Sequence, residues 1–136
     1  MPLQLLGDCR HLAVRGALCL LYGVRFEGDP EVHAKYCLLL ESYLDGKRDI
    51  VGAFGTSNLA YHFVFSSFVI PGRALNGEPP EDTLVQLDNY AFLSRQRLFE
   101  RRTFYVGQLT PDLVRALDDA LTHLHVEPAL MIRMMG

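Results

Sequence analysis

Arg97-Leu98-Phe99-Glu100-Arg101-Arg102-Thr103-Phe104-Tyr105-Val106-Gly107-Gln108-Leu109-Thr110-Pro111-Asp112 decides the fold. A basic Arg-Leu segment leads into a short strand predicted over 102–107, and Gly107-Gln108-Leu109 steps out of it. Thr110 is a good helix N-cap, Pro111 suits the first helical position, and Asp112 sits well against the helix dipole. Leu113, Leu117, Ala120, Leu121 and Leu124 then share one face at helical spacing, with Arg115, Asp118, Asp119 and Thr122 on the other. The helix is expected over 110–126, ending before Pro128.

Upstream of this ending the pattern is β. Ala17 to Val24 is a continuous apolar run of strand length, followed by a loop over 25–33 with Gly28, Asp29 and Pro30. Lys35 to Tyr43 is the next run, and Ile50 to Phe54 the returning strand. Between them Asp45-Gly46 predicts a tight hairpin turn, because this pair tolerates positive φ. His62 to Ile70 has the aromatic and β-branched content of a strand. Residues 71–82, with two glycines and Pro79-Pro80, read as a loop. Thr83 to Leu87 is another strand, while Tyr90 to Leu98 is open between a strand and a helical turn. Residues 1–14 form a short helix or an ordered arm. Five to seven short strands and a C-terminal helix predict a mainly β domain, an antiparallel barrel closed so that few edges stay open.

The 136 residues suggest one domain, 1–136, long enough to bury a core without a disulfide or metal staple. Apolar residues make up 49% and charged residues 21%, a globular balance. The formal net charge of −3 gives no global field for nucleic acid, so RNA binding would need a local basic patch. Cys9, Cys19 and Cys37 cannot all pair and fit no zinc spacing, so buried, reduced thiols are expected. No targeting segment or membrane span stands out, and a cytoplasmic location is expected. His33, His62, His123 and His125 lack metal-ligand spacing, and no phosphate-binding glycine loop or nucleophile elbow is present. Neither metal nor cofactor is expected.

Three places could carry chemistry. Gly55-Thr56-Ser57-Asn58 ends a buried strand with small hydrogen-bonding groups, which suit either a phosphate or simply a capped turn. Lys35 opens a buried strand, either reaching toward a neighbouring strand end or marking the boundary in solvent. Arg95, Arg97, Arg101 and Arg102 lie among Phe92, Phe99 and Phe104. Cations between rings suit single-stranded RNA, with charge for phosphates and rings for bases. A solvated edge with its rings turned inward fits the same pattern.

The order of these pieces resembles the PemK/MazF-type toxins, small ribonucleases of toxin–antitoxin pairs. Arg15-Gly16-Ala17 looks like the family's opening Arg-Gly-Asp, with Ala17 in place of the acid. Lys35-Tyr36-Cys37-Leu38-Leu39 stands at its Arg-Pro-x-Leu-Val strand, and Thr56-Ser57 at its Thr-Ser. Arg97-Leu98 and Gly107-Gln108-Leu109 fit its close. Lys35, Tyr36, Asn89 and Ala91 depart from the arginine, proline, glutamine-like and basic residues of the pattern.

The resemblance implies an SH3-like barrel, a homodimer and an antitoxin partner. It also implies metal-independent cleavage of single-stranded RNA by the RNA's own 2′-hydroxyl. By position it puts Lys35 and Thr56 at the scissile phosphate, with Ser57, Arg95 and Arg97 holding the strand. Lysine keeps the charge but not the planar two-donor fork of arginine. The alternatives are a catalytically inactive barrel that binds RNA or a protein, and a purely structural β module.

Overall fold

The computed structural model describes residues 3–46, 48–59, 66–123 and 134–135. Strands β1 (Gln4–Leu5), β2 (Ala17–Phe26), β3 (His33–Leu39) and β4 (Asp49–Thr56) precede β5 (Ser67–Ile70) and β6 (Thr83–Ser94). Helix α1 (Arg95–Leu98), strand β7 (Thr103–Gln108), helix α2 (Pro111–Thr122) and strand β8 (Met134–Met135) complete the chain. One antiparallel sheet runs in the order β1-β7-β2-β3-β4-β6-β5, with β8 added beside β2.

The central strands read as continuous apolar runs because both of their faces are covered. Cys19, Leu21, Cys37, Leu39, Ile50, Phe54 and Leu93 face one cluster, joined by Leu6, Cys9 and Ala13 of the N-terminal segment and by Leu98. Leu18, Leu38, Ala53, Val85 and Leu87 face a second cluster with Leu117 and Ala120 of α2. The alternation along β2, β3 and β4 is thus intact, but each face meets its own cover. Residues 1–14, expected as an arm or short helix, form β1 and two 3-10 turns, Leu6–Asp8 and Arg10–Leu12.

The expected closed barrel is an open sheet instead. Among the described residues no ladder joins the two ends of the order, β5 and β1. Side chains bridge β5 and β7 where hydrogen bonds do not: Leu75, Leu109, Leu117 and Ala120 pack with Phe68, Ile70 and Val106. Leu75 approaches Gly107 so closely that a Cβ there would stand 3.1 Å from the Leu75 Cβ.

Other expectations meet the structure unevenly. Thr110 caps α2 by accepting the Leu113 N–H, Pro111 opens the helix, and Leu117 is wholly buried. The stretch 124–126 and most of the expected strand from His62 lie outside the described residues. Asp45-Gly46 does not make a two-residue hairpin. A 3-10 turn, Tyr43–Asp45, intervenes, and Gly46 caps it at φ 76°. Long-range bonds draw the connection out: the Tyr43 N–H donates to Ala13 O at 2.9 Å, and the Glu41 carboxylate accepts the Val51 N–H at 3.0 Å. The strand expected over Thr83 to Leu87 runs on to Ser94, and the stretch open between strand and helical turn, Tyr90 to Leu98, is strand first and then the helical turn α1. The register against β4 slips between Ala53–Tyr90 and Gly55–Val85, so residues 86–89 bulge without ending the strand.

Candidate active site

The β3–β4 ladder pairs Leu39 with Gly52, Leu38 with Ala53 and Cys37 with Phe54, and stops there. Continued two residues, the same register would set Lys35 opposite Thr56. Where the ladder ends, a cleft of about 240 Å³ opens, and Lys35, Thr56 and Ser57 all line it. Lys35 and Thr56 are half-buried and Ser57 is exposed.

Four neighbours shape the cleft. Gly55 has no room for a side chain, since a Cβ there would stand 2.6 Å from Thr83 Cγ2 and 3.6 Å from Tyr36 Cβ. Its absence lets the end of β4 settle against β6 while Thr56 stays at the opening. The Tyr36 hydroxyl donates to Glu78 Oε2 at 2.9 Å, tying the loop 71–82 to β3. Burial, and then Glu78 itself, push the Tyr36 hydroxyl well above its ordinary value, so it stays a neutral donor. That loop brings Glu81 and Pro80 to the cleft, and Thr83 donates back to Glu81 O at 3.1 Å. Thr56 Oγ1 accepts the Asn58 N–H at 3.1 Å, which turns the chain and leaves the hydroxyl its own proton. One opening therefore holds an ammonium, several hydroxyls and a carboxylate. That set can bind a phosphodiester and carry protons beside it.

The two arginines expected there are elsewhere. Arg95 opens α1 next to Ser94, which pairs with Asp49 at the far end of β4 from Thr56. Seven residues of strand separate the two places, roughly 23 Å. Arg97 is turned inward, with 5% of its side chain exposed. Its Nη1 donates to Glu100 Oε1 at 2.6 Å and Thr103 Oγ1 at 2.9 Å, and Nη2 to Tyr22 O at 2.6 Å. Burial lowers its pKa, and Glu100 opposes the shift. This guanidinium ties β2, α1 and β7 together and is not presented to a substrate.

The histidine spacing gave no hint of a metal cluster, yet folding brings one residue trio together. Ligand atoms of Asp29, Glu31 and His33 lie within 4.8 Å of one another. Asp29 is already engaged, accepting the Glu31 N–H at 2.8 Å and meeting His33 Nε2 at 2.9 Å. The three cysteines are free and buried, as expected. Tyr36, Glu81 and Thr83 escaped sequence reasoning as cleft residues, because only the pairing of strands and the return of the loop 71–82 bring β3, that loop and the start of β6 to one opening.

No family model matches the chain, and no curated protein matches its sequence. Solved structures do match. A mycobacterial endoribonuclease solved in complex with its cognate antitoxin superposes with a TM-score of 0.55 at 19% identity, over 80% of this chain and 90% of that one. A second mycobacterial endoribonuclease gives 0.54 at 18% identity, over 82% and 88%. The chain has the fold of these endoribonucleases. The likeness fits the PemK/MazF resemblance read from the sequence. No helix among the described residues is long and apolar enough to cross a membrane.

Proposed function

We propose that this chain is a toxin-type endoribonuclease that cuts single-stranded RNA in the cleft at the end of β3 and β4. The observation that carries the proposal is the meeting of Lys35, Thr56 and Ser57 in one cleft, within a fold shared with endoribonucleases. The RNA's 2′-hydroxyl passes its proton to the Glu81 carboxylate that lines the cleft and attacks the adjacent phosphorus, the P–O5′ bond breaks, and a 2′,3′-cyclic phosphate and a 5′-hydroxyl result. Lys35 neutralises the charge that grows on the phosphoryl oxygens and delivers a proton to the departing 5′-oxygen. Thr56 donates a hydrogen bond to a non-bridging oxygen, with Ser57 beside it. No metal takes part. The protein works in the cytoplasm as a homodimer, held in check by an antitoxin that covers the cleft.

Lys35 tests the proposal. Lys35→Ala should cut cleavage by roughly 10²-fold or more with RNA binding little changed, as for loss of a group that acts in the transition state. Lys35→Arg should retain or raise activity, because the planar fork offers two donors. Equal cleavage by wild type and Lys35→Ala removes the catalytic role. One sequence observation favours a second reading, an inactive barrel that binds RNA or protein: Lys35 stands where the family pattern has an arginine, and Ala91 where it has a basic residue. A wild type that binds RNA without cutting it, beside a Lys35→Arg variant that cuts, would identify that state.

A further inference from the structure

At the far end of β4 from the cleft, side chains from three segments stack into a strip. The Arg10 guanidinium lies 4.6 Å from the centroid of the Phe99 ring. Phe99 meets Tyr43 edge-on at 4.7 Å, and the Arg95 guanidinium lies 5.5 Å from the Tyr43 centroid. The order along the strip is Arg10, Phe99, Tyr43, Arg95. One surface depression joins Arg10 to Arg95 across Phe99, and another joins Arg95 to Arg48 across Tyr43. Arg10, Arg48 and Arg95 are exposed, while the two rings are half-buried and rooted in the core.

These arginines are free to bind an anion. Among the described residues no carboxylate forms an ion pair with Arg10, Arg48 or Arg95. Glu100, which borders the strip, is held by Arg97 and Arg102, while Asp8 flanks the Arg10 end. A guanidinium over a ring is held in place, and although Arg10 donates its Nε–H to Gly7 O at 3.4 Å, its terminal N–H groups remain to donate to a phosphate. Bases stack on guanidinium planes as they do on rings. The Asp and Glu side chains of an acidic peptide would satisfy the charges but bring no rings of their own, whereas every nucleotide carries a phosphate and a base together.

Position matters as much as composition. Tyr43 and Phe99 pack on the cluster that holds Cys37, Leu39, Ile50 and Phe54. By strand alternation Lys35 and Thr56 belong to that same face. The strip and the Lys35–Thr56 wall of the cleft therefore lie toward the two ends of one face, roughly 23 Å apart along β4, while Tyr36, Gly55 and the loop 71–82 close the cleft from the opposite face. An extended strand covers that span within the roughly 4–16 nucleotides that a small nucleic-acid-binding barrel tracks.

We infer that Arg10, Arg48 and Arg95, stacked with Phe99 and Tyr43, form an exosite for the single-stranded RNA that flanks the bond in the cleft. The inference rests on the ribonuclease reading for what fills the cleft, but binding at the strip does not require cleavage.

Fluorescence anisotropy over a salt series tests it, with single-stranded RNAs of about twelve and about three nucleotides, the longer within the range such a surface tracks. A variant carrying Arg10→Ala and Arg95→Ala should bind the longer RNA about tenfold or more weakly. Its salt slope should fall by about 1.4 log units, at about 0.7 for each lost phosphate contact. The advantage of the longer RNA over the shorter should largely vanish. Should that variant fail to fold, Arg48→Ala carries the test, with a slope about 0.7 smaller. Unchanged affinity and slope overturn the inference, as does an equal loss on both lengths, which would place the effect at the cleft. Polyglutamate binding that depends on the strip while RNA affinity does not would assign it to an acidic peptide and also overturn it. A wild type that binds the longer RNA through the strip yet never cuts it sinks the nuclease reading alone.

Discussion

Replacing Arg97 separates a structural guanidinium from an RNA-binding one. In the folded chain it bridges Glu100, Thr103 and the Tyr22 carbonyl, and Thr103 returns a hydrogen bond to Arg97 O at 2.8 Å. Arg97→Ala would leave the Tyr22 carbonyl and the Thr103 hydroxyl without this donor inside the protein. Removing one partner of a buried ion pair costs about 3–5 kcal/mol. Glu100 keeps Arg102 and is 25% exposed, so water and a second cation soften the loss. The lower end, about 3 kcal/mol, is the expected value. In a domain of this size each kcal/mol lowers the melting temperature by about 3–5 °C, so a fall of about 10 °C should result. Thermal unfolding followed by circular dichroism measures it. Arg97→Lys should recover only part of the loss, because one ammonium cannot span three acceptors held by a planar fork. A variant that melts within about 2 °C of wild type and binds RNA more weakly would refute the assignment, because a surface change has that small effect.

The remaining expectations are narrower. Leu117→Ala empties a wholly buried site against the sheet and should cost about 2–5 kcal/mol in chemical denaturation. A loss below about 0.5 kcal/mol would mean that the α2 face is exposed. Burial holds the Cys37 thiol up to about 12, above its unfolded value, so its contribution is complete below about pH 9 and is lost as pH rises toward 12. The melting temperature should therefore fall more steeply above about pH 9 in wild type than in Cys37→Ala, and parallel curves would contradict it. EDTA should leave RNA cleavage unchanged. A drop of about tenfold reversed by added divalent metal would bring a cation into the reaction, with Asp29, Glu31 and His33 the first ligands to mutate.

Local chemistry was legible, and chemistry supplied from a distance was not. Thr110, Pro111 and the Leu113–Leu117–Leu121 spacing announce α2 because a cap, a fixed φ and a helical period are properties of neighbours in sequence. The apolar run at Ala17 reads as a strand for the same reason. Asp45-Gly46 misleads because the bond from Tyr43 to Ala13 overrides the local turn preference, and Gly46 then serves as a cap. β6 runs past Leu87 because paired residues on both sides of the bulge absorb the extra ones, a long-range effect that the run Thr83 to Leu87 does not announce. Closure fails to follow from strand count because apolar side chains of α2 and of the loop at Leu75 cover the gap that a barrel would hydrogen-bond shut.

At the site the same division runs through single residues. Lys35 and Thr56 lie 21 positions apart in sequence, and only the order of the strands brings them to one cleft. A resemblance in order carries that information because antiparallel register converts order into position. Arg97 reads as an exposed cation by residue type, but the Tyr22 carbonyl, 75 positions away, decides where it points. Position and competence are also separate properties. The backbone of β3 presents position 35 to the cleft whatever its side chain, so a lysine there holds the charge in place without the fork that would fix two phosphoryl oxygens at once. If the cleft was shaped for a two-donor cation, Lys35→Arg needs no backbone change to restore one. A gain of cleavage in that variant would therefore measure the side chain alone, with the fold held constant.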